Sequence, residues 1–248
     1  MEKVLVIIPA YNEQENIGKI LDEMTLINLQ SEVDVLIIDD GSKDKTVEII
    51  KEKGYKVISH FFNMGYGAAL QTGYKYALEF GYDYVLQLDG DGQHDLSNIA
   101  NLKKKLGCGM NDGGEYPDIV IGSRFLEGGQ SFPISSLKKI AISFFSKVIK
   151  EGTGYNLTDP TSGLQGLNRK AFSFYASYGN FDLKYPDMNM IIQMILLGYK
   201  IDEIPAVMHP RMAGVSMHTG IVKIAKYMLL MMLSSMNVYI RCRKKNGK

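Results

Sequence analysis

The sequence contains only two cysteines and no long hydrophobic run. Cys108 and Cys242 are too few for a disulfide framework, and no CxxC motif or Cys/His cluster indicates a zinc site. We therefore expect a reducing, cytoplasmic location. The apolar segment at residues 3–9 is too short for a secretory signal, so we expect no cleaved targeting segment.

Internal repeats, low-complexity tracts and long linkers are also lacking. With 248 residues, 46% of them hydrophobic, the chain can bury a substantial core. We predict one catalytic domain at residues 1–218, with a nucleotide-binding half at 1–125 and an acceptor half at 126–218. A basic amphipathic element at residues 219–248 would follow it.

Net charge is nearly absent, at +1, which argues against nucleic acid as a partner. The sum hides a segregation, because residues 1–203 carry a net charge of −7 and the last 45 residues carry eight basic and no acidic side chains. An acidic body with a basic tail suggests two surfaces with different partners.

Short apolar runs at residues 4–8, 33–38 and 84–88 are typical of buried parallel strands. Residues 56–59, 118–122 and 200–207 indicate further strands. Helical patterns fall between them, at residues 68–80, 96–106 and 134–149 among others. Alternation of strand and helix predicts a doubly wound α/β fold, in which ligands bind beyond the carboxyl ends of the strands.

Asp89 and Asp91 follow one such strand on a glycine-rich turn. Two carboxylates two residues apart can face one hard divalent cation and leave positions open for phosphate oxygens. The alternative for so short a pattern is a solvated turn. An EF-hand is excluded, because His94 and Ala100 stand where that loop needs Gly and Glu.

Polar loops also follow the other two strands, and they would meet Asp89 at the same edge of the sheet. Asp40 can accept hydrogen bonds from a base or a ribose, and Tyr11 can cover a nucleobase. Each has a structural alternative, Asp40 as a helix cap and Tyr11 as a half-buried packing residue.

Eight motifs in order resemble the GT-A glycosyltransferases of family 2, in particular the dolichyl- or polyprenyl-phosphate sugar synthases. The motifs are PAYNE (9–13), DDGS (39–42), NMGYG (63–67), DGDGQH (89–94), IGSR (121–124), DPTSG (159–163), EIP (203–205) and RMAGVS (211–216). Each is weak alone, but the ordered set covers nearly the whole chain. The implied fold is a Rossmann-like, mostly parallel sheet flanked by helices, with a C-terminal amphipathic helix.

The resemblance implies a metal-dependent, inverting transfer from a nucleotide diphosphate sugar. By matching positions, the nucleoside would be held by Pro9, Tyr11, Glu13 and Asp40. Mg²⁺ or Mn²⁺ on the diphosphate would be held by Asp89, Asp91 and Gln93, and Arg211 would reach the same diphosphate. Metal and arginine would stabilise the departing nucleoside diphosphate electrostatically.

The resemblance also implies an acceptor, polyprenyl phosphate or a lipid-linked or cell-surface glycan, held by Arg124, Lys139 and Ser143. Lys139 replaces the usual arginine and loses its bidentate fork. Asp159 is the predicted general base if the acceptor is a hydroxyl, with Asp187 as second candidate, although Asp187 is better explained as a helix N-cap. Met217 departs from the family's usual lysine, and His218 is an alternative donor.

The uncharged stretch of the basic tail, residues 227–240, has 14 residues, whereas a membrane-spanning helix needs about 20. Its apolar stripe and flanking charges predict a helix lying on an anionic membrane surface, which would place the protein at the cytoplasmic face. Packing on the catalytic domain or on a membrane partner protein is an equal alternative.

Two other functions fit parts of the pattern. A haloacid-dehalogenase-like phosphatase also places DxD after an apolar strand, but on its first strand and followed by Thr rather than Gln93. A non-catalytic nucleotide-sugar-binding subunit of a membrane glycosyltransferase complex would keep Asp40 and Asp89 without needing Asp159, Arg124 or Lys139.

Overall fold

The computed structural model describes residues 2–110, 112–132, 136–211 and 221–246. Within these ranges the strands are β1 (Val4–Ala10), β2 (Asp34–Asp39), β3 (Lys56–Ser59), β4 (Tyr84–Gln87), β5 (Ile119–Ser123), β6 (Gln165–Asn168) and β7 (Ile201–Pro205). The helices are α1 (Ile17–Leu26), α2 (Thr46–Glu52), α3 (Tyr66–Glu79), α4 (Asn98–Leu106), α5 (Ser136–Thr153), α6 (Arg169–Ala176), α7 (Met188–Leu196) and α8 (Ile221–Asn246).

The strands form one sheet in the order β3-β2-β1-β4-β6-β5-β7. Neighbouring strands run parallel except on either side of β6, which is antiparallel to both β4 and β5. The strand order reverses between β1 and β4, and such a switch point opens a crevice at the carboxyl edge of a sheet. The predicted α/β fold is thus confirmed, with the predicted strands at or near their expected positions.

β1 is buried along its whole length, because helices cover both faces of the sheet. Leu5 and Ile7 face the core formed with α3, α5, α6, α7 and α8. Val6 and Ile8 face the core formed with α1, α2 and α4. On α1 the residues at helical spacing, Ile17, Ile20, Leu21 and Met24, are the buried ones.

The interior strand β6 was not predicted as a strand. It is four residues long, and Gln165 and Asn168 give it no apolar run. Gly166 belongs there because a Cβ would lie 2.8 Å from Cδ1 of Leu106 on α4. Glycine has no side chain that could contribute to a hydrophobic pattern, so the periodicity of the sequence does not indicate this strand.

The C-terminal helix α8 packs along α7 and leaves one face uncovered. Met231, Val238 and Cys242 are buried in the core. Two polar contacts fix its position along α7: Asn189 donates to Ser234 Oγ at 2.9 Å, and Arg241 donates to Gln193 Oε1 at 3.0 Å. Of the helices in the described ranges, none is long and apolar enough to cross a membrane.

Candidate active site

The carboxyl ends of β1, β2 and β4 open into one cavity of about 1040 Å³. The predicted site residues that line it are Pro9, Tyr11, Glu13, Asp40, Asp89, Asp91, Gln93, Arg124 and Arg211. Most of them lie at residues 9–14, 40–46 and 89–93, where the strands end and the loops after them begin; these segments are called here the strand-end loops. Residues 184–187, before α7, and residues 226–230 of α8 contribute further lining residues and are called here the helical wall.

The first two strand-end loops are pinned to each other by short side chains. The Asn12 amide donates to Ser42 Oγ at 2.9 Å, and the Lys43 amide returns a bond to Asn12 Oδ1 at 2.8 Å. The Glu13 amide donates to Thr46 Oγ1 at 2.8 Å. Asn12 adopts a left-handed φ of 54°, which asparagine tolerates better than most residues. The two loops therefore form one preorganised floor.

Asp40 lines the cavity and also anchors the chain between β3 and α3. Its carboxylate accepts from the Met64 and Gly65 amides, at 2.9 and 2.8 Å, and lies 2.7 Å from His60 Nδ1. His60 reaches Thr72 through its other nitrogen, at 2.8 Å. Asp40 is therefore a rigid acceptor in the cavity wall, and the structural role considered from sequence, a helix cap, does not describe it.

Asp91 is nearly buried and faces Arg211. Its Oδ2 lies 3.0 Å from Arg211 Nη2 and 3.2 Å from Nε, whereas Oδ1 accepts, among the described residues, only the Gln93 amide, at 3.0 Å. Because each carboxylate oxygen has two lone pairs, Oδ1 keeps one for a cation. Glu13 lies 3.9 Å from the same arginine, and burial is the main cause that raises its pKa.

Asp89 is held from three directions. The Tyr66 hydroxyl donates to Asp89 Oδ1 at 2.8 Å, and the Asp89 amide donates to His94 Nδ1 at 3.1 Å. His94 Nε2 lies 3.7 Å from Asp89 Oδ2. Gly163 makes this packing possible, because a Cβ there would lie 2.5 Å from Oδ2. Burial raises the pKa of Asp89, helped by the charge of Asp91, so a cation bound at this site would favour its ionised form.

The carboxylates of Asp89 and Asp91 fit a divalent metal that is coordinated partly by the protein and partly by a bound phosphate ligand. Within the described ranges, no group of three or more His, Cys, Asp or Glu side chains forms an all-protein metal site. Mg²⁺ in phosphate-binding enzymes is commonly held by one or two carboxylates plus substrate phosphates. Asp89 and Asp91 supply two carboxylates, and the cavity leaves room for a diphosphate.

Arg124 and Asp159 form a buried ion pair. Arg124 Nε and Nη2 donate to the two carboxylate oxygens at 2.6 and 2.7 Å, and the Arg124 amide adds a third bond at 3.1 Å. Burial would lower the pKa of Arg124, but the hydrogen bonds to Asp159 outweigh it and raise the pKa. Glu203 accepts the amides of Thr158 and Asp159 and so fixes the backbone.

This geometry corrects the predicted role of Asp159 as general base. Its side chain is fully buried, both oxygens accept from Arg124, and it does not line the cavity. A general base needs a lone pair within reach of the acceptor proton. Asp159 instead orients Arg124, whose side chain does line the cavity.

Asp187 caps α7, as favoured from sequence: its carboxylate accepts the Met188 amide at 2.9 Å. The hydroxyl of Tyr227, on α8, donates to the other carboxylate oxygen. Burial raises the pKa of Asp187 to about 6, against the hydrogen bonds that lower it. Tyr227 also contacts the Tyr185 ring, with centroids 6.2 Å apart, so α8 is part of the cavity wall.

The acceptor residues expected from the motif positions are not brought together. Lys139 and Ser143 are exposed on α5 and do not line the cavity, unlike Arg124. A helix places residues four apart on one face, and this face of α5 points to solvent rather than to the crevice. Gly214, Ser216, Met217 and His218 lie outside the described residues.

Sequence reasoning missed several side chains that shape the site. Tyr66 and His94 stand inside recognised motifs, so their positions after β3 and β4 could have identified them. Tyr227 lies in an apolar helical stripe and Lys184 in a loop, and neither position carries a motif. Their roles depend on the packing of α8 against α7.

Comparison with known proteins places these features in a family. Residues 5–175 match the family model described as Glycosyl transferase family 2. The chain is 33% identical over 188 residues to the UDP-N-acetylglucosamine–dolichyl-phosphate N-acetylglucosaminyltransferase of Methanococcus voltae, covering 68% of this chain and 70% of that protein. It is 27% identical over 236 residues to the polyprenol monophosphomannose synthase of Mycolicibacterium smegmatis, covering 88% and 82%.

A solved structure supports the fold. Glucosyl-3-phosphoglycerate synthase from Mycobacterium tuberculosis, in complex with Mn²⁺, uridine diphosphate and glucosyl-3-phosphoglycerate, superposes with a TM-score of 0.67. The match covers 96% of this chain and 80% of that one at 15% identity. Neither alternative from the sequence is favoured. The DxD turn follows β4 rather than the first strand, against a phosphatase, and the family model and both relatives are those of transferases rather than of non-catalytic subunits. The chain belongs to glycosyl transferase family 2 and is a glycosyltransferase with the GT-A fold.

Proposed function

We propose that this glycosyltransferase moves a sugar, with inversion, from a nucleotide diphosphate sugar to a polyprenyl phosphate. The observation that carries the proposal is the convergence of Asp89, Asp91 and Arg211 on one cavity, although Arg211 is 120 positions from Asp91 along the chain. Two carboxylates and an arginine at one point suit a diphosphate with its metal.

The donor would lie across the strand-end loops. Pro9, Tyr11, Glu13 and Asp40 would contact the nucleoside, and Asp89, Asp91 and Gln93 would hold Mg²⁺ or Mn²⁺. When bound, the metal supplies charge neutralisation on the departing diphosphate. Arg211 is already oriented by Asp91 and can shift its donors to phosphate oxygens without losing a charged partner. Mn²⁺ in the related solved structure supports a divalent ion here.

The acceptor is proposed to be a phosphate because both carboxylates predicted as general bases are already engaged. Asp159 is committed to Arg124, and Asp187 already accepts from Met188 and Tyr227. A phosphate monoester is anionic near neutral pH and can attack C1 without losing a proton, whereas an alcohol needs a base. Attack on the face opposite the diphosphate inverts the anomeric carbon. The dolichyl-phosphate and polyprenol names of the two relatives agree with this choice.

The donor half of the proposal is tested by calorimetry with a panel of nucleotide diphosphate sugars. We expect binding that needs Mn²⁺ or Mg²⁺, is lost with a chelator, and no longer responds to metal in Asp91→Asn. Arg211→Ala should lower kcat by about 10²- to 10³-fold, the usual cost of removing one preorganised charge-stabilising donor. Asp22→Asn, at an exposed position on α1 away from the cavity, is the control. Metal-independent binding in the wild type would contradict the metal assignment.

The acceptor half is tested by offering labelled nucleotide sugars with polyprenyl phosphate or with soluble glycans. We expect labelled polyprenyl-phosphate sugar that is stable to base but cleaved by mild acid. Product on soluble glycans alone would overturn the acceptor assignment and leave the donor assignment standing.

We further propose that the protein binds the cytoplasmic membrane face through the outer side of α8. Leu229, Leu233 and Met236 are each more than half exposed there, at 60%, 51% and 57%. Their side of the helix is distinct from the face buried on α7, so the two alternatives left by the sequence are compatible. Basic residues flank this stripe along the chain and would attract anionic head groups, at about 1 kcal/mol per side chain.

Vesicle co-sedimentation tests this surface. Wild-type protein should pellet with anionic vesicles and be released by salt, whereas the triple variant Leu229→Ser, Leu233→Ser, Met236→Ser should stay in the supernatant. Leu26→Ser, at an exposed leucine on α1, is the matched control. Equal pelleting of triple variant and wild type would refute the proposal.

A further inference from the structure

Among the residues that the structure describes, four lysine and arginine side chains line the cavity, and they differ in whether a carboxylate already binds them. Arg211 pairs with Asp91, and Arg124 pairs with Asp159. Lys184 and Lys226 line the helical wall, and within the described ranges neither forms an ion pair with a carboxylate. These two ammonium groups are therefore the cations of the cavity that are available to an incoming anion.

We propose that Lys184 and Lys226 bind the phosphate of the acceptor, in place of the positions on α5 that the motif resemblance indicated. This inference rests on the proposed transfer to a polyprenyl phosphate and names the residues that receive it. Lys139 and Ser143 do not line the cavity, whereas both Lys184 and Lys226 do.

Arg124 is a less available phosphate ligand than the two lysines. Its Nε and Nη2 donate in bidentate fashion to a carboxylate that is fully buried. Turning these two donors to a phosphate would leave Asp159 as an unpaired buried charge, which is strongly unfavourable, so Arg124 can offer a phosphate only its remaining N–H groups. A lysine binds phosphate as a flexible point charge, and Lys184 and Lys226 break no such pair when they do so.

Aromatic contacts link the two segments that carry the lysines. Lys184 lies with its ammonium 5.8 Å from the Tyr185 ring centroid, and Tyr185 contacts Tyr227 edge-on. Tyr227 directly follows Lys226 on α8, and its hydroxyl donates to Asp187. Asp187 is thereby engaged by Tyr227 and the Met188 amide rather than by either lysine. The loop before α7, at residues 184–187, and residues 226–227 of α8 are thus fixed to each other.

The same wall continues into apolar surface. Leu230 lines the cavity one turn after Lys226, and Leu229 and Leu233 are exposed beyond it on α8. A ligand whose anionic group binds the two lysines and whose hydrocarbon chain lies along α8 would match this arrangement of basic and apolar surface. The ligand class is therefore a phosphate monoester carrying a long apolar chain, rather than a free phosphate or a glycan.

The test compares acceptor kinetics of wild type and the double variant Lys184→Ala, Lys226→Ala in neutral detergent micelles. We expect the KM for polyprenyl phosphate to rise tenfold or more while the calorimetric Kd of the nucleotide sugar changes less than twofold. Lys184→Arg, Lys226→Arg should recover most of the loss. Lys147→Ala, at an exposed lysine on α5 outside the cavity, is the matched control and should leave both values unchanged.

Three results would overturn the inference. They are an unchanged acceptor KM in the double alanine variant, an equal loss of nucleotide-sugar affinity, and a defect seen only on anionic vesicles. The second would assign the lysines to the donor diphosphate and the third to membrane head groups. If the wild type transferred nothing to polyprenyl phosphate, the proposed function would fail. Calorimetric binding of a short-chain prenyl phosphate to wild type and double variant would still decide the role of the lysines.

Discussion

The strand-end loops and the helical wall face the same cavity but are built in different ways. Asp40, Asp89 and Asp91 each follow a buried parallel strand within a few residues, so the sheet itself places them. Lys184, Asp187 and Tyr227 come from a loop and two helices, and their positions depend on how α8 packs on α7. One side of the site is thus determined by strand order, and the other by helix packing.

The difference also appears in what each group is bonded to. At the strand-end loops, carboxylates are held by backbone amides of the same edge of the sheet, such as those of Met64, Gly65 and Gln93. At the helical wall, the Asp187 carboxylate is satisfied by a hydroxyl from another element, Tyr227. Damage to helix packing should therefore disturb the helical wall while the strand-end loops keep their geometry.

The largest effect is expected for Asp159→Ala, which leaves Arg124 as an unpaired charge beside the cavity. Breaking a buried ion pair costs about 3–5 kcal/mol, so the free energy of unfolding should fall by that amount. Urea denaturation measures it. Asp22→Ala, which breaks the exposed pair with Lys53, should cost at most about 1 kcal/mol. Similar losses in both variants would show that Arg124 and Asp159 are not coupled as described.

The next effect concerns the pH dependence of the free energy of unfolding, to which Asp187 of the helical wall contributes. Burial raises the pKa of Asp187 to about 6 from 3.8, and Tyr227, Arg124 and Asp159 also act on it. Between pH 3.8 and about pH 6, the Asp187 carboxyl is ionised in the unfolded chain but stays protonated in the folded protein. Asp187 therefore lowers the free energy of unfolding as the pH rises through this range. The loss can reach about 3 kcal/mol at neutral pH.

Asp187→Asn removes that titration. Its unfolding free energy relative to the wild type should therefore be more favourable at pH 7.5 than at pH 4.5, as measured by urea denaturation at both values. Tyr227→Phe should act in the opposite direction at pH 7.5, because it removes a donor to the ionised form. A difference between Asp187→Asn and wild type that is constant with pH would contradict the pKa assignment.

The smallest effect is expected at the strand-end loops, for Gly163→Ala. The added Cβ would lie 2.5 Å from Asp89 Oδ2, so the carboxylate must move. Overpacking of this kind costs about 1–3 kcal/mol, and we expect metal-dependent nucleotide-sugar affinity to fall roughly tenfold or more. Gly152→Ala, where the nearest atom is 4.0 Å away, is the control in the same calorimetric titration. Unchanged affinity would mean that Asp89 does not need its present position.

Motif order and strand periodicity predicted the family, the fold and the loops that line the cavity. They did not predict β6, because its glycine and polar residues carry no strand signal, nor the burial of Asp159. Asp159 stands in a recognised motif, yet its partner Arg124 comes from another segment, 35 residues away. A motif identifies a residue type at a position, and only the contacts show which way its side chain is directed.

The sequence by itself determined the strand-end loops, because a polar residue that directly follows a buried parallel strand must lie at the carboxyl edge of the sheet. The tertiary structure decided the helical wall, where Tyr227 reaches Asp187 across 40 positions and where Lys184 and Lys226 pair with no carboxylate of the described residues. The physical reason is the range of the interactions. Strand and helix periodicity are local properties of the chain, whereas the partners of a charged side chain depend on the packing of the whole domain.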